Sequence, residues 1–106
     1  MDDAAVTVEM NGDGLARLRG ELDLSSYDEV SSALAPLFDA DGDVVLDLAE
    51  LTFVDSSGIR IFIRLHTALQ ERGGHLILRG PTANVARVFA VAGLPQMGIS
   101  IDEVPA

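Results

Sequence analysis

Two neighbouring hydroxyls, Ser56 and Ser57, stand in the run Phe53-Val54-Asp55-Ser56-Ser57-Gly58-Ile59, between a carboxylate and a glycine. A serine becomes a nucleophile when a base takes its proton, and a phosphoacceptor when another protein delivers a phosphoryl group. The first chemistry needs a base, and the ordinary candidates are two histidines, His66 and His75, neither tied to Ser56 by spacing. The nucleophile elbow of hydrolases asks for glycine two residues on either side of the serine. Val54 and Gly58 occupy those places, so half of the pattern fails. Two scattered histidines without a cysteine make a poor metal set. No glycine-rich phosphate loop follows the first strand. The chain therefore reads as a non-enzyme without a cofactor of its own, and a hydrolase built on Ser56 lacks its base. The plain reading of Asp55-Ser56-Ser57-Gly58 is a helix cap, since Asp, Ser and Gly are common there.

The elements around this run place it at a strand-to-helix junction. Val44 to Leu48 is nearly continuous in apolar residues and reads as a strand covered on both faces. Ala49 to Phe53 reads as a short connection. A helix is expected from about Ser57 to Glu71, with Gly58, Ile61, Phe62, Leu65, Ala68 and Leu69 inward. Arg60, Arg64, Thr67 and Glu71 form its polar line, with both arginines on a solvated face. Ile59 and Ile63 fall between the two lines, at the core rim or within a partner's reach. In an open α/β sheet, sites gather at the carboxyl ends of strands. A helix start also offers unpaired N–H groups to an oxygen or a phosphate.

Upstream, Val6, Val8 and Met10 alternate with polar residues, as do Ala16 and Leu18. With the turn Asn11-Gly12-Asp13-Gly14 between them they predict an antiparallel hairpin. Ser26 and Glu29 have capping-box spacing and predict a helix start, with Asp23 assisting the cap. Pro36 should kink or end that helix near Ala35. Asp47 interrupts its strand and is expected near an exposed end or paired with a donor. Downstream, Gly73-Gly74 closes the second helix and His75 to Arg79 is a strand. Thr82 caps a third helix carrying Val85, Val88, Phe89 and Ala92 inward, and Gly93 with Pro95 stops it. Ile99 to Val104 is a last strand or tail. The alternation from Val44 onward predicts parallel pairing with right-handed crossovers. The fold class is thus α/β: an antiparallel N-terminal hairpin, then parallel βαβαβ, with helices packed on a mixed sheet.

The chain's 106 residues fit one domain, spanning residues 1–106. Acidic residues outnumber basic ones by 17 to 7, all seven basic residues are arginine, and the formal charge is −10. Such a surface repels phosphate backbones and anionic lipid, so no nucleic acid and no direct membrane binding is expected. No apolar run approaches the ~20 residues of a membrane span. Met1-Asp2-Asp3-Ala4-Ala5 lacks the pattern of a signal peptide, and a cytoplasmic location is expected.

Gly20-Glu21-Leu22-Asp23, Val45-Leu46-Asp47-Leu48, Phe53-Val54-Asp55-Ser56-Ser57-Gly58, Arg72-Gly73-Gly74 and Phe89 to Gly93-Leu94 occur in the order seen in STAS domains. The chain most resembles the stand-alone bacterial anti-sigma factor antagonists, from about Val6 to Ile101. The resemblance implies binding to an anti-sigma factor that is also a serine kinase, which then releases its sigma factor. It implies that the kinase, using its own Mg-ATP, phosphorylates the first serine after the aspartate, Ser56. A separate phosphatase restores the unmodified form. By their motif positions Asp23 would lie near the acceptor and aid kinase contact, and Asp55 and Ser57 would flank it. Gly58, Ile59, Arg60 and Ile63, on the helix that follows, complete the expected partner face. Ile59 stands where Leu is commoner, and Pro36 falls in the first helix. STAS domains also serve as constitutive scaffolding subunits, in stress-sensing assemblies or beside membrane lipid transporters, and this is the alternative.

Overall fold

A computed structural model describes residues 6–12 and 14–103. The hairpin forms as its alternation predicts: β1 (Val6–Met10) pairs antiparallel with β2 (Leu15–Leu22), Val8 opposite Leu18. Gly12 and Gly14 of the turn both take positive φ, which glycine adopts without a Cβ clash. Asp13, also placed in that turn by sequence, lies outside the described residues. β3 (Val44–Val54), β4 (Leu76–Arg79) and β5 (Ser100–Asp102) follow in spatial order, each parallel to its neighbour. The parallel set reaches back one strand further than expected, because β2 also pairs parallel with β3.

β3 corrects two expectations. It runs eleven residues, so Ala49 to Phe53 is strand and not connection. Its register against β2 slips twice: Arg17 faces Asp47 but Arg19 faces Glu50, and Gly20 faces Leu51 but Glu21 faces Phe53. Each slip is a bulge that adds one residue to β3. The inward residues therefore run Leu46, Leu48, Leu51, Val54, and period-two alternation ends at Leu48 although the strand continues. β3 is also covered on one face only. α2 (Ser56–Glu71) touches both α1 (Tyr27–Leu34) and α3 (Ala83–Ala92). Phe62 of α2 meets Phe89 of α3 edge to face, with centroids 5.8 Å apart. These helices close over Leu18, Leu22, Leu46, Leu48, Leu51, Leu76 and Leu78, all fully buried.

The opposite face carries a row of charge. The registers align Glu9, Arg17, Asp47, Arg79 and Asp102 across all five strands. Arg17 pairs with Asp47 at 3.3 Å and Arg79 with Asp102 at 3.8 Å. Asp47 thus has the donor its place in an apolar strand demands.

The first helix begins differently from the expectation. The capping box joins Asp23 and Ser26 around a 3₁₀ turn over Leu24–Ser26, and α1 follows from Tyr27. Ser26 is spent on that turn, so its hydroxyl caps nothing in α1 and Glu29 is exposed. Pro36 acts as expected: α1 ends at Leu34 and the chain tightens to a 3₁₀ helix over Ala35–Asp39. α3 starts on the Thr82 hydroxyl, which accepts from the Val85 N–H, and stops at Gly93 in the left-handed region.

Candidate functional site

β2 and β3 end side by side. Leu22 is the register partner of Val54, and the Asp55 N–H donates to the Leu22 carbonyl at 3.2 Å. The next residues on the two strands, Asp23 and Asp55, therefore leave the sheet together, and each starts a helical segment. Asp55 is extended, and its Oδ1 accepts from the N–H of Ser57 at 2.8 Å and of Gly58 at 3.3 Å. Its carbonyl accepts from Ile59. Two of the four orphan N–H groups of the helix start, those of Ser57 and Gly58, are thus satisfied by the Asp55 side chain, and the N–H of Asp55 itself by Leu22. The amides of Ser57 and Gly58, which could have held a phosphate, are therefore already engaged.

This cap fixes Ser56 as the first residue of α2, one residue earlier than expected, with its side chain exposed. Ser57 is half-buried. Gly58 is buried directly on the strand pair, and a Cβ there would lie 2.5 Å from Val54 Cγ2 and 2.7 Å from Leu22 Cγ. Gly58 therefore sets how closely the helix seats on the sheet and has no side chain to offer a partner. Ile59 is only 7 % exposed, which puts it in the core rim. Ile63 is half-buried and Arg60 is exposed.

Asp23 Oδ1 accepts from the Ser25 hydroxyl at 2.7 Å and the Ser25 N–H at 3.0 Å. These bonds, the Ser25 hydroxyl first, then the backbone N–H groups of Ser26 and Ser25, favour the charged form. They outweigh desolvation and hold the Asp23 carboxyl below its ordinary pKa. Two carboxylates, Asp23 and Asp55, thus leave the sheet at one edge, Asp55 directly before the exposed serine.

Apolar side chains stand exposed along the same edge and on α3. Leu24, beside Asp23, is 74 % exposed, Phe53 is half-exposed, and Val91 on α3 is 84 % exposed. A shallow groove of about 320 Å³ runs between α2 and α3, lined by Ser56, Ile59, Arg87, Val88, Val91 and Ala92. Sequence reasoning did not single out Leu24, Arg87 or Val91. It assigned Ala92 inward, whereas Ala92 is exposed and lines this groove. The available signal was Val91, an apolar residue outside the inward stripe of its helix.

The histidines are engaged elsewhere. Buried His66 contacts the Met97 carbonyl through Nε2 at 2.9 Å, so Nε2 carries the proton and Nδ1 is left without a partner. His75 Nε2 meets the Ser100 hydroxyl at 2.6 Å. Among the described residues no cluster of three or more potential metal ligands forms. No helix among them is long and apolar enough to cross a membrane.

Fold and site together define a small α/β domain of mixed sheet, with an exposed serine opening a helix at the carboxyl edge of that sheet. The STAS domain family profile matches residues 4–103, and the chain belongs to that family. It is 28 % identical over 82 residues to the anti-sigma-B factor antagonist of Staphylococcus epidermidis, covering 76 % of each chain. The Staphylococcus aureus protein of the same name is 27 % identical over the same length, again covering 76 % of each. The fold matches the anti-sigma factor antagonist SpoIIAA in its unphosphorylated form with a TM-score of 0.69 at 23 % identity, over 95 % of this chain and 90 % of that one. It matches the phosphorylated form of the Bacillus cell fate determinant SpoIIAA with a TM-score of 0.66 at 24 % identity, over 92 % of this chain and 90 % of that one.

Proposed function

We propose that this protein is an anti-sigma factor antagonist switched by phosphorylation of Ser56. Unmodified, the edge bearing Ser56, Leu24, Phe53 and Val91 docks on an anti-sigma factor that is also a serine kinase, and the sigma factor is released. The kinase then moves the γ-phosphoryl group of its own Mg-ATP to Ser56 Oγ. ADP leaves, and the hydroxyl proton passes to a base on the partner, since His66 and His75 are engaged elsewhere. A phosphatase restores the hydroxyl. This circuit operates in the cytoplasm.

The carrying observation is the exposed hydroxyl of Ser56 held at the helix start by Asp55, with apolar surface beside it. The two Staphylococcus relatives, named as antagonists of an anti-sigma factor, support the role. A structural neighbour observed in a phosphorylated form supports the switch. Physically, a phosphoserine adds roughly −1.5 to −2 charges beside Asp55 and Asp23. A misplaced charge of that size at an interface costs on the order of 2–5 kcal/mol, or about thirty- to several-thousand-fold in affinity.

The test is to incubate the chain with its cognate kinase and ATP and map the phosphate by mass spectrometry. One phosphate is expected, on Ser56, lost in Ser56→Ala and retained in Ser57→Ala. Undiminished phosphate uptake by Ser56→Ala would refute the site. Co-purification with a membrane transporter in place of a soluble kinase would move the protein to the scaffolding role.

A further inference from the structure

Five of the seven arginines have a partner. Arg17, Arg19, Arg72 and Arg79 are in ion pairs, and Arg64 donates to the Tyr27 hydroxyl at 2.7 Å. Arg60 and Arg87 make no ion pair or side-chain hydrogen bond among the described residues. These two arginines both lie beside Ser56. Arg60 is four residues on, one turn along the same face of α2. Arg87 lies on α3 and lines the same groove as Ser56.

We infer that Arg87 is the receiver of the phosphate on Ser56. This rests on the reading of Ser56 as the phosphoacceptor and adds what the modified state does. Of the helix-start amides, those of Ser57 and Gly58 are held by Asp55 and that of Asp55 by Leu22, so at most the Ser56 N–H is left to face a phosphate. Asp23 and Asp55 repel the phosphate. The groove lining offers one cation, Arg87, whose planar fork suits two phosphate oxygens at once. Swung onto phospho-Ser56, the guanidinium lies across the mouth of the groove and covers Ile59 and Val88, while Arg60 adds charge from the next turn. Phosphorylation then closes the docking groove from within, in addition to repelling the partner. The off state becomes an intramolecular ion pair between α2 and α3, and the arginine is withdrawn from any acidic group of the partner that it meets in the on state.

The experiment installs phosphoserine at residue 56 of the full chain by genetic code expansion, which needs no kinase, and follows the phosphate by phosphorus NMR across pH. An unperturbed phosphoserine has its second ionisation near pH ~6. With Arg87 engaged, Arg87→Gln should move that ionisation up by about half a unit or more, because a close opposite charge favours the dianion. Asp23, Asp55 and the helix start are common to both proteins and cancel in the comparison. Arg87→Gln leaving the titration within error of the parent would overturn the inference. So would a shift seen only in Arg60→Gln, which would assign the phosphate to α2 alone. Because the phosphoserine enters during translation at a chosen residue, failure here leaves the kinase test of Ser56 untouched, and the reverse also holds.

Discussion

Replacing Gly58 by alanine tests the packing that aims Ser56. A Cβ at this position would stand 2.5 Å from Val54 Cγ2 and 2.7 and 2.8 Å from Leu22 Cγ and Cδ2. Non-bonded carbons rest at ~3.5–4.0 Å, so each approach is short by roughly 1 Å. Leu22 and Val54 are 0 % and 3 % exposed and cannot swing into solvent. The helix start has to lift from the strands. Overpacking of this kind costs about 1–3 kcal/mol, and the helix propensity of alanine over glycine returns up to ~1 kcal/mol. A net destabilisation of about 1–2 kcal/mol follows, seen as a fall in Tm of roughly 5–10 °C for a domain of this size. Thermal and urea unfolding followed by circular dichroism measure it. Val54→Ala placed in the same chain removes the nearest clashing methyl. The pair should therefore be less destabilised than the sum of the single changes, by at least ~0.5 kcal/mol. A Gly58→Ala protein as stable as the parent, or strictly additive single changes, would refute the claim that this glycine exists for close approach.

Asp55→Ala removes the acceptor of two backbone N–H groups and should lower stability by about 1 kcal/mol, while Asp55→Asn keeps most of it. Equal urea midpoints for Asp55→Ala and the parent would contradict the capping role. Asp23 gives a pH dependence with a definite sign. Its folded pKa lies below the unfolded one, so its contribution is present above the unfolded value. That contribution disappears as pH falls through the folded value. Stability should decline on acidification below about pH 4, the ordinary range of an unfolded Asp. Ser25→Ala, which deletes the largest cause, should raise the Asp23 carboxyl pKa in an NMR titration; an unmoved titration would show that the hydroxyl does not matter.

The fold was legible where burial and hydrogen bonding follow a simple period. The hairpin, the parallel set, the Pro36 break, the Thr82 cap and the Gly93 stop each depend on a residue or two with one strong physical preference. β3 beyond Leu48 was not legible, because its bulges shift the inward residues to spacings of three and so erase the strand period. The start of α1 was misread because Ser26 has two helical starts within reach, and it serves the 3₁₀ turn behind Asp23. One-sided cover of β3 was hidden because its outer face is mixed: Val45 lines up with Leu15 and Ile77 there, beside the row of Arg17, Asp47 and Arg79. At the site, local chain order revealed Asp55 and Ser56. Arg87 is thirty-one residues beyond Ser56 in sequence, and only the packing of α3 against α2 brings it to the same groove.

The division of labour among the four residues Asp55 to Gly58 decides which hydroxyl a partner can reach. Asp55 and Gly58 are committed inward, one by its cap and the other by contact with the strands. Ser57 is half-buried and its N–H is bound to Asp55, so moving its side chain into a kinase would strain the cap. Ser56 precedes both capped amides, and its side chain projects from a backbone that the cap holds still. Fixed backbone with a free hydroxyl lets a phosphoryl group be added without unfolding the helix start. On the proposed reading the added charge falls at the edge that Asp23 and Asp55 share, in a groove that Arg87 also lines. Under the proposed switch, the groove between α2 and α3 has two electrostatic states on one unchanged fold, and the choice between them depends on the Ser56 oxygen.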